Sequence, residues 1–133
     1  MYVLDTDSCI YLLNQKVPSV EARLREIQRG DIGISALTAA ELHYGAAHSK
    51  NREENRKKAD IFCSSLTLFP FDLKSAQIFG DTKEYLMSRG EMIGILDLLI
   101  ASCALSLEAI LVTHNSQEFR RIPELKLEDW FRD

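Results

Sequence analysis

Short apolar runs alternate with longer segments of helical periodicity along the whole of this 133-residue chain. The runs at Tyr2–Leu4, Ile32–Ser35, Leu66–Phe71 and Ala109–Thr113 are typical of buried strands, and a last strand is predicted around residues 125–127. Strands that alternate with helices and short loops form parallel sheets with helices on both faces. The sequence therefore predicts a three-layer α/β/α fold around a mostly parallel sheet of four to five strands, in a single domain over residues 1–133.

The segments between these runs carry apolar residues at the spacing of amphipathic helices. The predicted helices cover residues 9–13, 18–29, 38–45, 51–66, 72–89 and 94–105, with a short helix from Phe119 before the last strand. Gly30, Gly45 and Gly90 stand at the ends of three of these segments, and glycine is a common helix stop. The pattern predicts that each of them ends a helix.

One segment, residues 94–105, is apolar on almost every side and still contains a carboxylate. Asp97 lies between Ile95-Leu96 and Leu98-Leu99. A carboxylate in such a helix is costly unless it is paired, bound to a cation or exposed in a cleft, and the helix dipole accounts for only part of its stabilisation. Asp97 is the acid least easily explained by structure alone.

Four more polar residues follow predicted strands or begin the adjoining helices. Asp5 ends the first strand, Glu41 lies in the first turn of the helix after the second strand, and Asn115 and Glu118 follow the fourth. Ligands bind at the carboxyl ends of parallel strands, so we expect these residues and Asp97 to meet there. Clustered carboxylates without His or Cys favour hard ions such as Mg²⁺ or Mn²⁺. Such a site suits phosphodiester hydrolysis by metal-activated water.

Helix capping offers a structural explanation for several of these residues. Thr38-Ala39-Ala40-Glu41 and Asn115-Ser116-Gln117-Glu118 both fit a capping box, and Asp7 can cap the first helix. Asp5 is less easily explained, because an acid directly after a buried strand is costly unless it is exposed in a cleft or paired. The residues alone leave both explanations open.

The overall composition argues against several classes of protein. A net charge of −4 is unlike that of proteins that coat nucleic acid by bulk attraction, although bound metal ions can reverse the charge locally. No apolar run approaches the roughly 18 residues of a membrane span, and the acidic start MYVLDTD is unlike a signal peptide. These features predict a cytoplasmic protein. Cys9, Cys63 and Cys103 lie within apolar patterns and are predicted to be reduced core residues.

Three blocks of sequence together resemble the PIN-domain toxins of the VapC type. They are LDTDSCIYLL, SALTAAELHYGA and IGILDLLIASCALSLEAILVTHNSQEFRRIPELKLEDW, which cover nearly the whole chain in this order. The last block is the most specific, since its Gly-x-x-Asp-x-x-Ile-Ala core, its Thr-x-Asn-x-x-Glu-Phe turn and its closing Leu-Glu-Asp-Trp recur together in that family. The resemblance implies a PIN fold and an endoribonuclease that depends on Mg²⁺ or Mn²⁺.

The same resemblance assigns metal-binding roles to individual acids. Asp5 takes the place of the family's first metal-binding aspartate, Glu41 that of its helix glutamate and Asp97 that of its third acid. The fourth position is a choice between Asn115, where many PIN domains have aspartate, and Glu118, which matches the glutamate of the closer toxins and would act through water.

The resemblance also suggests residues that face the substrate. Thr6 and Thr113 match small polar residues that line the site, where they orient water or phosphate or serve the structure alone. Asp7 stands where asparagine is usual, and it either caps the helix, which we favour, or adds charge to the metal pocket. Arg120 and Arg121 are candidates for phosphate contact. A basic run is a weaker candidate, because Glu53 and Glu54 within it favour a solvated helix face; it comprises Lys50, Arg52, Arg56, Lys57 and Lys58.

Family membership further implies partners. The toxins of the family form homodimers, which can pair into a dimer of dimers with a VapB-like antitoxin. The antitoxin inserts a segment into a groove and blocks the acidic site. The substrates are RNAs, and transfer RNA is the expected class.

Two rival functions share the acidic motif near the N-terminus. A haloacid-dehalogenase-like phosphatase has an Asp-x-Asp loop like Asp5-Thr6-Asp7, but it also needs a positioned lysine and a later acidic pair, for which Gly80-Asp81 inside a predicted helix is the nearest substitute. A non-enzymatic receiver-like signalling domain has an acidic Mg²⁺ pocket, but it needs a lysine just after its last strand. Lys126 lies within the predicted strand instead.

Overall fold

The computed structural model describes residues 1–131 and contains one five-stranded sheet with the order β3-β2-β1-β4-β5. Every neighbouring pair of strands is parallel. The strands are β1 (Tyr2–Leu4), β2 (Ile32–Ser35), β3 (Thr67–Phe69), β4 (Ile110–Val112) and β5 (Lys126–Glu128). The predicted α/β fold with a parallel sheet is confirmed.

Helices cover both faces of this sheet. They are α1 (Thr6–Asn14), α2 (Pro18–Glu26), α3 (Ala36–His48), α4 (Arg52–Ser64), α5 (Leu73–Ser88), α6 (Ile95–Ser106) and α7 (Ser116–Phe119). Successive strand residues point to opposite faces, so Val3 and Leu111 belong to a core with α5 and α6, while Leu4 and Val112 belong to a second core with α1, α2 and α3. Three layers result, as the alternation of elements predicts.

The predicted helix stops are right at one glycine and wrong at two. Gly90 has a φ of 65° and follows α5, where the Glu91 N–H donates to the Leu86 carbonyl at 2.9 Å in a regular C-terminal turn. Gly45 lies inside α3, which continues to His48 because Ala46 still packs into the core. Gly30 belongs to a short 3-10 turn, Arg29–Asp31, and α2 already ends at Glu26.

The order of the strands creates a crevice beside β1. The chain proceeds from β1 to β2 and β3 on one side and then returns to place β4 and β5 on the other. Ligands bind outside the carboxyl ends of strands where the strand order reverses. The residues that follow β1 and β4 therefore lie where a ligand site is expected.

Two other predictions concern the helices and the thiols. None of the helices within residues 1–131 is long and apolar enough to cross a membrane. All three cysteines are free; Cys9 and Cys103 are buried as predicted, whereas Cys63 is only partly buried.

Candidate active site

Asp5 lies at the carboxyl end of β1 and starts α1. Its backbone N–H donates to the Val112 carbonyl at 3.0 Å, and its carboxylate accepts from the backbone N–H of Ser8 at 2.9 Å. The residue is 3% exposed, and burial raises the pKa of its carboxyl although hydrogen bonds with Ser8 and Thr113 oppose the rise. Burial thus disfavours the ionised form of the Asp5 carboxyl, and a nearby cation would stabilise that form.

The N-caps of α1 and α3 differ from the predicted ones. Asp5 caps α1, so the interpretation of Asp7 as the cap is wrong; Asp7 is exposed in the first turn, and its charge raises the pKa of the Asp5 carboxyl. Ser35 caps α3 by accepting from the Thr38 N–H at 3.1 Å, because the helix begins two residues earlier than predicted. Glu41 consequently lies in the second turn, outside any capping box. Capping therefore explains neither Asp7 nor Glu41.

A chain of buried hydroxyls leads from the cap of α3 to Glu41. The Thr6 hydroxyl donates to Glu41 Oε1 at 2.8 Å and lies 3.1 Å from the Thr38 hydroxyl, which in turn accepts from Ser35 at 3.4 Å. Each hydroxyl has one proton. Since Thr6 uses its proton on Glu41, Thr38 must donate to Thr6, and all the donors run in one direction toward the carboxylate. The chain holds one Glu41 oxygen in place.

Asp97 lies in the first turn of α6, at the rim of the crevice and not deep in a core helix. Burial raises the pKa of its carboxyl to about 6, and the negative charges of the surrounding acids add to the rise. In order of effect these acids are Asp5, Glu118, Asp7 and Glu41. Carboxylates from α1, α3, α6 and α7 are therefore near enough to repel one another. A Cβ at Gly94 would lie 3.5 Å from Asp97 Oδ2, an ordinary van der Waals contact.

The segment after β4 contains Asn115 and Glu118, the two candidates for the fourth ligand. Asn115 is the N-cap of α7, but its side chain makes no cap bond, and the predicted capping box with Glu118 does not form. The Asn115 backbone N–H instead donates to Thr113 Oγ1 at 2.9 Å, which turns the chain at the end of β4. Thr113 is fully buried and also contributes a hydrogen bond that lowers the Asp5 pKa. Glu118 acts on Asp97 through its charge, whereas Asn115 has no charge to contribute.

The donor set is that of a hard divalent cation. Within residues 1–131 no three His, Cys, Asp or Glu side chains are close enough together to hold one ion as they are placed. The acids nevertheless lie around one crevice, where burial first and then their charges raise the Asp97 pKa. Oxygen ligands without nitrogen or sulfur favour hard divalent ions over zinc. A cation in the crevice would relieve this repulsion, so these donors fit such an ion by their chemistry, although their side chains are not spaced to hold one as placed.

The residues predicted to contact phosphate differ in their surroundings. Arg121 donates to the main-chain carbonyls of Glu91 and Met92 at 3.5 and 3.3 Å, so it ties down the loop before α6. Arg120 is exposed beside α7. In the basic run, Lys58 lies 3.7 Å from Glu54 on an exposed face of α4.

The sequence interpretation did not assign a role to Ser8 or Ser35. Ser8 and Ser35 are fully buried and fix the ends of β1 and β2. The sequence did contain a signal for them. Asp5 and Ser8 are three residues apart, as are Ser35 and Thr38, and this is the spacing between an N-cap side chain and the backbone N–H that it accepts from. The first pair directly follows a predicted strand, and the second begins at the last residue of one.

Two residues that the rival functions would use do not lie where those functions need them. Asp81 lies inside α5, away from the strand ends, and Lys126 is the first residue of β5. Neither position provides the second acidic pair of a phosphatase or the lysine of a receiver domain.

Comparison with known proteins identifies the family. The PIN domain model matches residues 2–125; the predicted domain limits of 1–133 stay a prediction. Ribonuclease VapC2 of Rickettsia felis is 42% identical over 131 residues, 98% of each chain. The tRNA(fMet)-specific endonuclease VapC of Shigella flexneri is 35% identical over 129 residues, 97% of each chain.

A solved structure agrees with these sequence matches. The crystal structure of VapBC2 from Rickettsia felis bound to a DNA fragment from their promoter superposes with a TM-score of 0.92 at 42% identity, and the match covers 97% of this chain and 98% of that one. The fold therefore agrees with that of a relative that is 42% identical over nearly the full length of both chains. This chain belongs to the PIN-domain family and, within it, to the VapC ribonucleases.

Proposed function

We propose that this chain is the toxin of a toxin–antitoxin pair and cleaves RNA with the help of Mg²⁺ or Mn²⁺. The observation that carries the proposal is the convergence of acids from four helices on one crevice, where burial first and then the charges of the other acids raise the Asp97 pKa to about 6. Structural carboxylates are rarely placed together without cations, whereas nucleases place them together to bind metal ions at a phosphate.

In this proposal Asp5, Glu41 and Asp97 hold the ion, and Glu118 completes the site through water. Asn115 is the alternative fourth group. A bound divalent ion supplies an acidified water and neutralises charge on the phosphate. The chain's own contribution is orientation: Ser8 fixes the Asp5 carboxylate and Thr6 fixes Glu41.

Transfer RNA is the proposed substrate class. The relative from Shigella flexneri is named a tRNA(fMet)-specific endonuclease, and it is 35% identical to this chain over nearly its full length. Because tRNA is a cytoplasmic molecule, the proposal places the enzyme in the cytoplasm. Arg120, which is exposed and follows Glu118 by two residues, is the proposed phosphate contact.

The proposed partner is a VapB-like antitoxin. The similar structure from Rickettsia felis is a VapBC2 complex on promoter DNA, which supports a complex of the same kind here. We further propose that the toxin is a homodimer, and that two such dimers can join when the antitoxin is bound.

The test is cleavage by the purified chain, freed of partner, of total tRNA in Mg²⁺, in Mn²⁺ and in EDTA, followed by sequencing of the new RNA ends. We expect cleavage at one or a few positions with either ion and none in EDTA. Expression without a partner is expected to arrest growth. Equal cleavage in EDTA would contradict the metal requirement, and intact tRNA under all conditions would contradict the substrate.

A further inference from the structure

The loop that follows β4 (residues 113–115, the β4 loop) is bound to the end of β5. The last backbone bond between the two strands runs from the Thr113 N–H to the Glu128 carbonyl, at 3.0 Å. One residue further along each strand, a side-chain bond takes its place, with His114 Nδ1 2.9 Å from Asp129 Oδ2. The pairing of the strands is therefore extended by side chains into the loop that leads to α7.

Asp129 uses each of its carboxylate oxygens for a different donor. Oδ2 faces His114, while Oδ1 accepts from the backbone N–H of Phe131 at 2.9 Å. Because an ionised carboxylate can only accept, Nδ1 of His114 must carry the proton. The rings of Tyr11 and Phe131 also lie beside the imidazole, with centroids 6.4 and 6.1 Å away. The Asp129 side chain is 11% exposed, so this bond lies largely out of water.

The two neighbours of His114 in the β4 loop belong to the acidic site. Thr113 is fully buried and hydrogen-bonds with the Asp5 carboxyl. Its Oγ1 also accepts from the backbone N–H of Asn115 at 2.9 Å, and Asn115 is a candidate for the fourth ligand. A shift of His114 would therefore move both the hydroxyl that faces Asp5 and the side chain of Asn115.

We propose that Asp129 is a positioning residue of the nuclease site, which fixes the β4 loop through His114 and thereby aligns Thr113 with Asp5. The inference rests on the proposed function, because the alignment of Asp5 matters for an ion that this residue would hold. Hydrogen bonds behind metal-binding side chains orient those side chains and set their affinity for the ion. Asp129 acts through the loop and not on the RNA.

Glu128 provides a matched control at the neighbouring position. Its Oε1 accepts from Trp130 Nε1 at 2.9 Å and from Arg23 at 3.2 Å, so its side chain binds the same segment to α2 and not to the β4 loop. Glu128→Ala and Asp129→Ala each remove one charge and two hydrogen bonds. Urea titrations of both variants measure how much stability each change costs.

The test combines amide hydrogen exchange of the metal-free protein, Mn²⁺ affinity by calorimetry and the initial rate of tRNA cleavage. We expect Asp129→Ala to speed exchange of the Asn115 N–H and to weaken Mn²⁺ binding and cleavage about tenfold, the lower end of the range for such supporting contacts. Glu128→Ala is expected to leave all three at wild-type values. Wild-type exchange and Mn²⁺ affinity in Asp129→Ala, or equal changes in the two variants, would overturn the proposal.

Two substitutions of His114 test the route from Asp129 to the loop. His114→Ala removes the bond to Asp129, whereas His114→Asn keeps an N–H donor close to the place of Nδ1. We expect alanine to reproduce the losses of Asp129→Ala and asparagine to restore Mn²⁺ affinity and cleavage. Equal losses in both variants would show that the imidazole has a role other than this bond, which would overturn the proposal.

The failure of the proposed function is separable from the failure of this inference. If the wild-type protein neither binds Mn²⁺ nor cleaves tRNA, the proposed function fails and a positioning role in it fails too. If the wild type does both and Asp129→Ala behaves like Glu128→Ala, only the inference about Asp129 fails.

Discussion

The starts of α1 and α5 are built from the same local motif and have opposite electrostatics. Asp5 and Asp72 each cap their helix, and each carboxylate accepts from the backbone N–H of a serine three residues later at 2.9 Å. Hydrogen bonds with Ser75 lower the pKa of the exposed Asp72, whereas burial raises the pKa of Asp5. The geometry of the cap therefore does not indicate function. What distinguishes Asp5 from Asp72 is its burial close to other acids.

The residue after each cap differs in the same sense. Thr6 follows Asp5, is buried and donates to Glu41 at 2.8 Å. Leu73 follows Asp72 and is 74% exposed. The first residue of α1 is thus hydrogen-bonded to a second acid of the site, whereas the first residue of α5 is exposed to solvent. This contrast predicts which substitutions affect catalysis and which affect stability alone.

The largest expected effect is on cleavage by Asp5→Asn. Asparagine keeps the cap of α1 but removes the charge that holds the cation, so we expect at least about a hundredfold loss of RNA cleavage in Mg²⁺, the scale of removing one charge-stabilising group. The measurement is the initial rate on tRNA under saturating metal. A rate within a few-fold of wild type would contradict the role of Asp5.

Asp72→Asn is the matched control for that experiment. It makes the same chemical change in the same local motif, but at an exposed site where hydrogen bonds with Ser75 and the charge of Lys74 lower the carboxyl pKa. We expect its cleavage rate to equal that of the wild type. Equal losses in both variants would mean that the substitution acts through the helix cap.

The second effect concerns the hydroxyl chain at Glu41. Thr6→Val keeps the shape of the side chain but cannot donate to Glu41 Oε1, and loss of such an orienting contact typically lowers metal affinity or activity by about 10- to 100-fold. Mn²⁺ affinity measured by calorimetry is the readout, and Thr6→Ser is expected to restore it. If valine and serine have the same effect, the hydroxyl does not position Glu41.

The layout of the fold could be predicted from the sequence, because buried strands and amphipathic helices leave strong periodic signals. Helix starts and stops were less predictable. The glycine at position 45 resembles a stop, yet Ala46 continues the apolar face and α3 passes through. A single residue rarely outweighs a core contact one position later.

The acids of the candidate site could be predicted from the sequence, but the hydrogen bonds that orient them could not. Asp97 is conspicuous in an apolar segment, whereas Asp7 and Glu41 resemble ordinary caps until the true caps, Asp5 and Ser35, are known. The bond from Thr6 to Glu41 joins residues 35 positions apart. Such contacts depend on how strands and helices pack and leave no local pattern.

The smallest expected effect is on stability, and here the two kinds of acid give opposite pH dependence. Burial raises the pKa of Asp97 to about 6 from an ordinary value of 3.8, so the folded state favours its neutral form, and stability is lost as the pH rises through that range. In EDTA at pH 7.5, Asp97→Asn is expected to be more stable than wild type by about 1 kcal/mol, after solvent screening of a partly buried carboxyl. The advantage should disappear near pH 4.

Asp72→Asn sharpens this comparison because its expected effect on stability has the opposite sign to that of Asp97→Asn. The pKa of Asp72 is lowered by its bonds to Ser75, so the ionised form stabilises the fold above the ordinary carboxyl pKa, and that benefit is lost as the pH falls. The variant should be slightly less stable than wild type at pH 7.5 and should approach it on acidification. Urea titrations of wild type and both variants from pH 4 to pH 7.5 measure the two trends. If both variants change stability in the same direction, the environments of Asp97 and Asp72 do not differ, and the case for a strained acidic crevice fails.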